Sequence, residues 1–224
     1  FIPISQITGT GDGNQFYSLF RDSKGFYWFG GANGLIRFTD PAGERHDAIW
    51  YRMGDKTYPL SHNRIRHIYE DKEQQLWIAT DGSINRYDYA TRQFIHYNIV
   101  DNTGTYNTNW TYYIFEDTAG QLWISTCLGG IFVVDKHKLM QSTSGQYIAE
   151  QNFSVHNGLS GMFINQIIPD NEGNVWVLLY NNKGIDKINP RTREVTKLFA
   201  DELTGEKSPN YLLCDEDGLL WVGF

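Results

Sequence analysis

The sequence predicts an all-β protein, a β-propeller of four-stranded antiparallel blades present as a partial ring of about four and a half blades. A motif of Asp, two residues, usually Gly, two residues and Trp occurs five times. Successive Trp residues of this motif are 49, 46, 53 and 45 positions apart. A strand-rich repeat with a period in the forties is typical of propeller blades. The motif residues are Asp22 and Trp28, Asp71 and Trp77, Asp117 and Trp123, Asp170 and Trp176, and Asp215 and Trp221.

Each motif predicts the turn of a β-hairpin. Asp is favoured at the first position of a type I turn, where its carboxylate accepts backbone N–H groups, and Gly is favoured at the fourth. Runs of aromatic and β-branched residues flank every turn and predict strands. The runs before the turns are residues 16–20, 65–69, 112–115, 164–168 and 211–213; those after them are 26–29, 76–78, 122–124, 175–178 and 219–222. We therefore assign the motif residues a structural role.

Two further strands complete each blade. The third strands are residues 34–38, 83–87, 130–134 and 184–188, and the fourth strands are 48–51, 93–97, 147–153 and 195–199. The blades then span about 14–53, 63–98, 109–155 and 162–200, with a partial fifth blade at about 208–224. Residues 1–7 are expected to form a strand from a preceding blade or one that closes the ring. We expect 1–224 to be a single propeller fragment whose open blade edges, or receptor dimerisation, allow self-association.

Each unit resembles the two-component regulator propeller repeat. The segments that carry the resemblance are Tyr69-Glu70-Asp71 with Leu76-Trp77-Ile78-Ala79-Thr80 and Asn85-Arg86-Tyr87-Asp88, and Phe115-Glu116-Asp117 with Leu122-Trp123-Ile124-Ser125-Thr126. The resemblance extends from residue 14 to residue 224. The departures are Gln74 in place of the turn Gly, Pro169 and Cys214 in place of an acidic residue, and Leu178-Leu179 in place of Gly-Thr.

The resemblance implies a fragment of the periplasmic sensor region of a Bacteroidetes hybrid two-component system. Such receptors respond to oligosaccharides released by polysaccharide breakdown. In that family the propellers precede a membrane helix, a histidine kinase, a receiver and a DNA-binding module, none of which is recognised in this sequence. The implied role is ligand sensing in the ectodomain of an inner-membrane receptor, without enzymatic activity in this fragment and with membrane attachment through other parts.

Composition excludes several other classes. A net charge of −7 and a pI near 5.3 disfavour nucleic acid as a partner, because phosphate binding needs clustered Lys and Arg. Cys127 and Cys214 lie in different predicted blades and are expected to be buried thiols. The six His residues form no His-Glu-x-x-His pair, so we expect no metal and no cofactor.

Two classes of enzyme are also built on propellers. Gly lies three and Trp six residues after Asp here, offsets that differ from those of sialidase-type Asp boxes. A lyase resembling the virginiamycin-type propeller would need a His and a metal near the axis, and this alternative stays open. The further alternative is a propeller that binds no small molecule and serves assembly or dimerisation.

The predicted ligand site lies on the loops. In a propeller, the loops before each first strand and those between the second and third strands converge on one face. Sugar recognition needs flat apolar faces together with amides and cations. The residues of these types in the loops are Arg64, Arg66, Trp110, Tyr112, Asn165, Asn181 and Lys183. The alternative is that the aromatic side chains fill the central channel and the cations are solvated.

Overall fold

The computed structural model describes residues 15–39, 48–57, 59–143, 145–180, 184–198 and 209–224. The predicted strand within 1–7 lies outside these residues. The chain divides into two compact units, unit 1 (Phe1–Tyr97) and unit 2 (Asn98–Phe224). No helix in the described part of the chain is long and apolar enough to cross a membrane.

Unit 1 contains two four-stranded antiparallel sheets, each with its strands in sequence order. The first consists of β1 (Phe16–Arg21), β2 (Tyr27–Gly31), β3 (Gly34–Phe38) and β4 (Ile49–Tyr51). The second consists of β5 (Ile65–Glu70), β6 (Leu76–Thr80), β7 (Ser83–Asp88) and β8 (Gln93–Tyr97). The strands follow the predicted order because each hairpin is closed by its own turn.

Unit 2 contains two more four-stranded sheets and one hairpin among its described residues. The first sheet pairs β10 (Thr111–Glu116), β11 (Gln121–Thr126), β12 (Ile131–Asp135) and β14 (Gln151–Phe153). The second pairs β15 (Ile164–Pro169), β16 (Val175–Leu179), β17 (Ile185–Ile188) and β18 (Val195–Leu198). The hairpin is β19 (Tyr211–Cys214) with β20 (Leu220–Gly223). These sheets confirm the predicted all-β class with four-stranded antiparallel blades.

One predicted strand is wrong. Residues 147–153 were expected to form a single fourth strand, but β13 (Tyr147–Ile148) pairs in parallel with β9 (Ile99–Val100), and only β14 pairs with β12. The reason is that the connection after β8 adds its own short strand, and Ala149 continues this pairing by donating its N–H to the Val100 carbonyl. The short helix α1 (Lys136–Gln141) and a 3-10 turn at Val155–Asn157 were also not predicted.

The five Asp residues of the repeated motif share one hydrogen-bonding pattern. In the second blade, Asp71 Oδ1 accepts the N–H groups of Glu73 and Gln75 at 2.9 Å, and Oδ2 accepts Trp77 Nε1 at 2.9 Å. The equivalent Asp to Trp Nε1 distances are 2.8 Å, 2.9 Å, 3.1 Å and 2.7 Å in the other motifs. One carboxylate thus closes the turn and fixes the indole of the following strand.

The core of unit 1 lies between its two sheets. The Trp28 ring on β2 packs against Tyr87 on β7, with ring centroids 4.9 Å apart, and both side chains are fully buried. The Tyr89 hydroxyl donates to Asp22 Oδ2 at 2.7 Å. Burial and then this hydrogen bond raise the pKa of Tyr89 above its usual range, so the phenol stays protonated. The motif Asp therefore also connects adjacent blades.

In unit 2, a side-chain amide connects the last two described sheets. Gln166 on β15 accepts the Leu212 N–H at 2.7 Å and donates to the Leu212 carbonyl at 3.0 Å. The amide thus forms hydrogen bonds with both the N–H and the carbonyl of Leu212 on β19, as the backbone of an adjacent strand would. Around it, Ile168, Leu178 and Leu212 form part of a buried apolar cluster.

Candidate functional site

The same backbone hydrogen bond links two loops at one end of each four-stranded sheet. In each sheet, a residue in the loop after the second strand donates its N–H to the carbonyl of the residue just before the first strand. We call this carbonyl-bearing residue the rim residue. The pairs are Ala32 to Gln15 (2.9 Å), Asp81 to Arg64 (3.2 Å), Cys127 to Trp110 (2.9 Å) and Tyr180 to Phe163 (3.0 Å). Within each sheet, the two predicted loop sets therefore meet.

A β-bulge follows each rim residue. The register of the first strand with the second shifts between Phe16 and Ser18, Ile65 and His67, Thr111 and Tyr113, and Ile164 and Gln166. The residue inside each shift, which we call the bulge residue, is two positions after the rim residue. The four bulge residues are Tyr17, Arg66, Tyr112 and Asn165. Bulges re-aim side chains and are common near functional sites, and three of these residues belong to the predicted site.

In unit 1, the two predicted arginines share one carboxylate. Arg66 donates from Nε to Asp81 Oδ1 at 2.7 Å and from a terminal nitrogen to Oδ2 at 3.2 Å. Arg64 Nε lies 3.8 Å from Asp81 Oδ2, and its side chain is 47% exposed against 22% for Arg66. Because the bidentate pair fixes the Arg66 guanidinium, Arg64 is the more available cation.

In unit 2, four large apolar side chains project from the rim, and we call them the apolar strip. Their exposed fractions are 48% for Trp110, 52% for Leu128, 41% for Phe163 and 57% for Tyr180. The Leu128 N–H donates to the Met162 carbonyl at 3.2 Å, and a β-bridge pairs Cys127 with Phe163. These contacts hold the rims of adjacent sheets together.

The backbone of the strip is constrained at two positions. Trp110 has φ 55° and Leu128 has φ 80°, both in the left-handed region that non-glycine residues rarely adopt. Such conformations persist only where surrounding structure enforces them, and they are concentrated at functional sites. Here the hydrogen bond from Cys127 to the Trp110 carbonyl and the one from Leu128 to Met162 enforce them.

A cavity of about 490 Å³, which we call the rim cavity, opens beside the strip. Its walls include Trp110 and Leu128 together with Tyr106, Asn107 and Asn109. The Asn107 Oδ1 accepts the Asn109 N–H at 3.0 Å, which fixes the loop that enters β10. The cavity therefore combines an aromatic face with planar amides.

The family and structural comparisons agree with the all-β fold described above. Residues 10–33 and 59–82 match the sequence profile of the family described as two component regulator propeller. These two segments are similar to two-component regulator propeller repeats. Comparison with curated protein sequences gives no significant match.

Three of the similar solved structures show the likeness in fold. The whole chain is 99% identical, with a TM-score of 0.95, to part of the extracellular domain of BT4673 from B. thetaiotaomicron, named as a one component system. The extracellular domain of BT3049 from the same organism, named as a hybrid two component system, is 20% identical with a TM-score of 0.77 over the whole chain. The chain spans 30% and 29% of the lengths of these two chains.

The third structure is a lyase with the same fold. Virginiamycin B lyase from Staphylococcus aureus is 16% identical with a TM-score of 0.62, over 93% of this chain and 62% of the lyase. At this identity the likeness shows the fold alone. In the described part of the chain, no three His, Cys, Asp or Glu side chains are grouped as metal ligands would be.

The remaining predicted site residues do not belong to the apolar strip, or they lie outside the described residues. Tyr112 is partly buried, and Asn165 donates from Nδ2 to the Asn210 carbonyl at 3.3 Å. Asn181 and Lys183 lie outside the described residues.

Four residues at the rims were not predicted as site residues: Asp81, Leu128, Phe163 and Tyr180. Apolar residues beside a predicted strand are usually assigned to the core, and only the folded structure shows that the Leu128, Phe163 and Tyr180 side chains are exposed. Their position in the sequence could have indicated a place in the site, because each lies either just before a first strand or just after a second strand.

Proposed function

We propose that this chain is a ligand-sensing propeller in the extracytoplasmic region of a signalling receptor. The support is the match to regulator propeller repeats and the 99% identity to an extracellular domain named as part of a one component system. The proposed location is the periplasm, in the ectodomain of an inner-membrane receptor. In the hybrid two-component form of the proposal, a histidine kinase outside this chain receives the signal.

The observation that carries ligand binding is the apolar strip. Large apolar side chains exposed together on a soluble domain mark binding surfaces, and here backbone hydrogen bonds fix them in place. Flat aromatic faces bind the C–H surface of a sugar ring, and neighbouring amides bind its hydroxyl groups. The proposed ligand is an oligosaccharide that lies over Trp110 and contacts Asn109.

The two predicted arginines of unit 1 differ in their accessibility. Arg66 is positioned by Asp81 through two hydrogen bonds and mainly shapes the rim. Arg64 has nearly half of its side chain exposed while its Nε lies 3.8 Å from Asp81 Oδ2, so it is the more accessible of the two cations in unit 1. Neither arginine is proposed as a catalytic group.

Signalling would follow from a difference in ligand affinity between two arrangements of the receptor. A ligand shifts such an equilibrium only as far as it binds one arrangement more tightly. Rigid loops suit this task, because binding energy is then not consumed in ordering the site.

The test is thermal melting of the intact receptor ectodomain with a panel of oligosaccharides, each sample being checked by mass spectrometry for cleavage. A ligand at about 100 times its Kd adds roughly 2.7 kcal/mol to stability and raises the melting temperature by several degrees. Trp110→Ala with Tyr180→Ala should abolish the rise. The control is Ile148→Ala, which changes an exposed apolar residue outside the rim and should retain it.

Each outcome has a separate meaning. A shift with intact sugar that depends on Trp110 supports the sensor. Cleaved sugar would instead indicate a lyase or glycosidase. No shift across the panel, together with concentration-dependent dimerisation that the double variant abolishes, would replace the sensor by an assembly module.

A further inference from the structure

A second cavity adjoins the rim cavity in unit 2, and we call it the outer cavity. Its volume is about 550 Å³, and it shares Thr105 and Tyr106 with the rim cavity as common walls. Both volumes fall within the roughly 300–1,000 Å³ range of small-molecule sites. Tyr106 therefore stands between two adjoining compartments.

The outer cavity is built from two segments that the fold holds rigidly. One wall is the loop 101–106, in which Asp101 accepts the Tyr106 N–H at 2.8 Å and donates its own N–H to the Tyr106 carbonyl at 3.0 Å. The other wall includes β14 and the following 3-10 turn. The Tyr106 hydroxyl and His156 Nε2 lie 3.2 Å apart and connect the two walls.

The walls carry hydrogen-bonding capacity that the protein does not use. The side-chain amides of Asn102 and Gln151 in the outer cavity, and of Asn109 in the rim cavity, make no hydrogen bond to the described part of the chain. Asn152 donates from Nδ2 to the Gly129 carbonyl at 2.9 Å, which ties the outer cavity to a residue that lines the rim cavity. Amides and hydroxyls in this arrangement match the hydroxyl groups of sugars.

The charges of the walls define the ligand class. Neither Lys nor Arg is among the described residues that line the two cavities, whereas Asp101 and Glu150 both line the outer one. Burial raises the pKa of Asp101, but hydrogen bonds from Thr103 and Tyr106 outweigh it and lower the pKa, so this carboxylate is ionised at neutral pH. Glu150 accepts the Asp135 N–H at 2.8 Å and the Tyr147 hydroxyl at 2.7 Å. Lys138 Nζ, which lines neither cavity, lies 3.7 Å from Glu150 Oε1 and offsets its charge. Asp101 forms no ion pair with a described Lys or Arg, so it is the carboxylate that would repel a uronate or sulfated sugar.

We propose that the site binds an uncharged oligosaccharide of at least two sugar units, one over Trp110 in the rim cavity and the next beyond Tyr106 in the outer cavity. This inference rests on the proposed function and adds the ligand's charge class and a second subsite. Tyr106 and Asn102 are its specificity-determining residues.

The test is isothermal titration calorimetry on the intact ectodomain with neutral saccharides of one to four units and with acidic oligosaccharides of equal length. Affinity should rise from one unit to two or more, and acidic oligosaccharides should bind more weakly. Tyr106→Ala should reduce affinity for the longer neutral ligands about tenfold, since aromatic contacts contribute on that scale. Because Tyr106 also lines the rim cavity, the affinity for a single unit should fall as well, but by less than the affinity for two or more units.

Two further variants show whether the effect of Tyr106→Ala comes from lost contacts or from disturbed folding. Asn102→Ala truncates an exposed loop side chain and should also selectively weaken the longer ligands. Ile148→Ala, outside both cavities, should change nothing.

The outcomes separate the two levels of the proposal. Affinity that depends on Trp110 but not on length, Tyr106 or Asn102 would overturn the second subsite and leave the sensor proposal standing. Acidic ligands that bind as tightly as neutral ones would overturn the charge class. An absence of binding by every saccharide would overturn both the sensor proposal and this inference.

Discussion

Replacing Asp71 with Ala tests why the Asp and Trp of the repeated motif belong together. The Asp71 carboxylate holds two turn N–H groups and the indole N–H of Trp77, each at 2.9 Å. The Trp77 side chain is fully buried. Alanine would therefore leave a buried donor without its carboxylate acceptor, in addition to loosening the turn.

The expected loss of stability follows from these contacts. A buried donor left unsatisfied costs about 1–3 kcal/mol, and each turn hydrogen bond contributes roughly 0.5–1.5 kcal/mol. Because water replaces part of the turn bonding, we expect Asp71→Ala to cost about 3 kcal/mol. Asp88 is the matched control: it accepts the Ala90 N–H and the Thr91 hydroxyl at 2.9 Å in an exposed turn, and no indole depends on it. Asp88→Ala should cost about 1 kcal/mol.

The assay is urea unfolding followed by far-ultraviolet circular dichroism, since a variant at Trp77 would alter fluorescence. In the Asp71→Ala background, Trp77→Phe removes the unsatisfied donor, so the double variant should lose less stability than the sum of the single variants. The expected coupling is about 1–2 kcal/mol. Equal losses for Asp71→Ala and Asp88→Ala, or strict additivity in the cycle, would refute the role of the buried indole.

Three further predictions concern strain, a buried ion pair and pH. Gln74 has φ 62° where the other four motifs have Gly, so Gln74→Gly should raise the free energy of unfolding by about 1 kcal/mol in urea titrations, and a decrease would contradict the strain argument. Lys136→Met removes the ammonium that lies 2.8 Å from buried Glu116 and should cost about 3–5 kcal/mol by thermal unfolding, with partial recovery on adding Glu116→Gln. Burial lowers the pKa of His67 to about 3, so the unfolded chain takes up a proton below the usual pKa of 6.5 while the folded chain does not. Stability should therefore fall between pH 6.5 and 5 by up to about 2 kcal/mol, and His67→Gln should remove this part of the pH dependence in melting curves.

The repeat could be predicted from the sequence because its determinants are local. Asp71 and Trp77 lie six residues apart, so the spacing of one pair already contains the turn, the hairpin and the hydrogen bond that joins them. Residues 147–153 could not be assigned correctly for the opposite reason. The partner of Tyr147 is Ile99, and nothing near either residue in the chain indicates that pairing.

The candidate site was predictable by position but only partly by residue. Trp110 and Arg64 were selected from their place before a first strand, and the structure puts both at rim positions. The pairing of Arg66 with Asp81 and the exposure of Tyr180 depend on hydrogen bonds between loops that are 15 or more residues apart. Chemical type alone therefore could not distinguish Arg66 from Arg64 as an available cation, and it did not indicate Tyr180.

The sequence by itself determined the all-β class, the period of the blades and the turn at each Asp, because these follow from local spacing and from alternation of apolar residues. Only the tertiary structure decided which side chains project from the rim, where the strand over 147–153 is divided, and that two cavities adjoin at Tyr106. The physical reason is that exposure, pairing partners and cavities depend on contacts between segments far apart in the chain. Backbone hydrogen bonds between strands have the same form whatever the side chains are, so local sequence does not specify which segments pair.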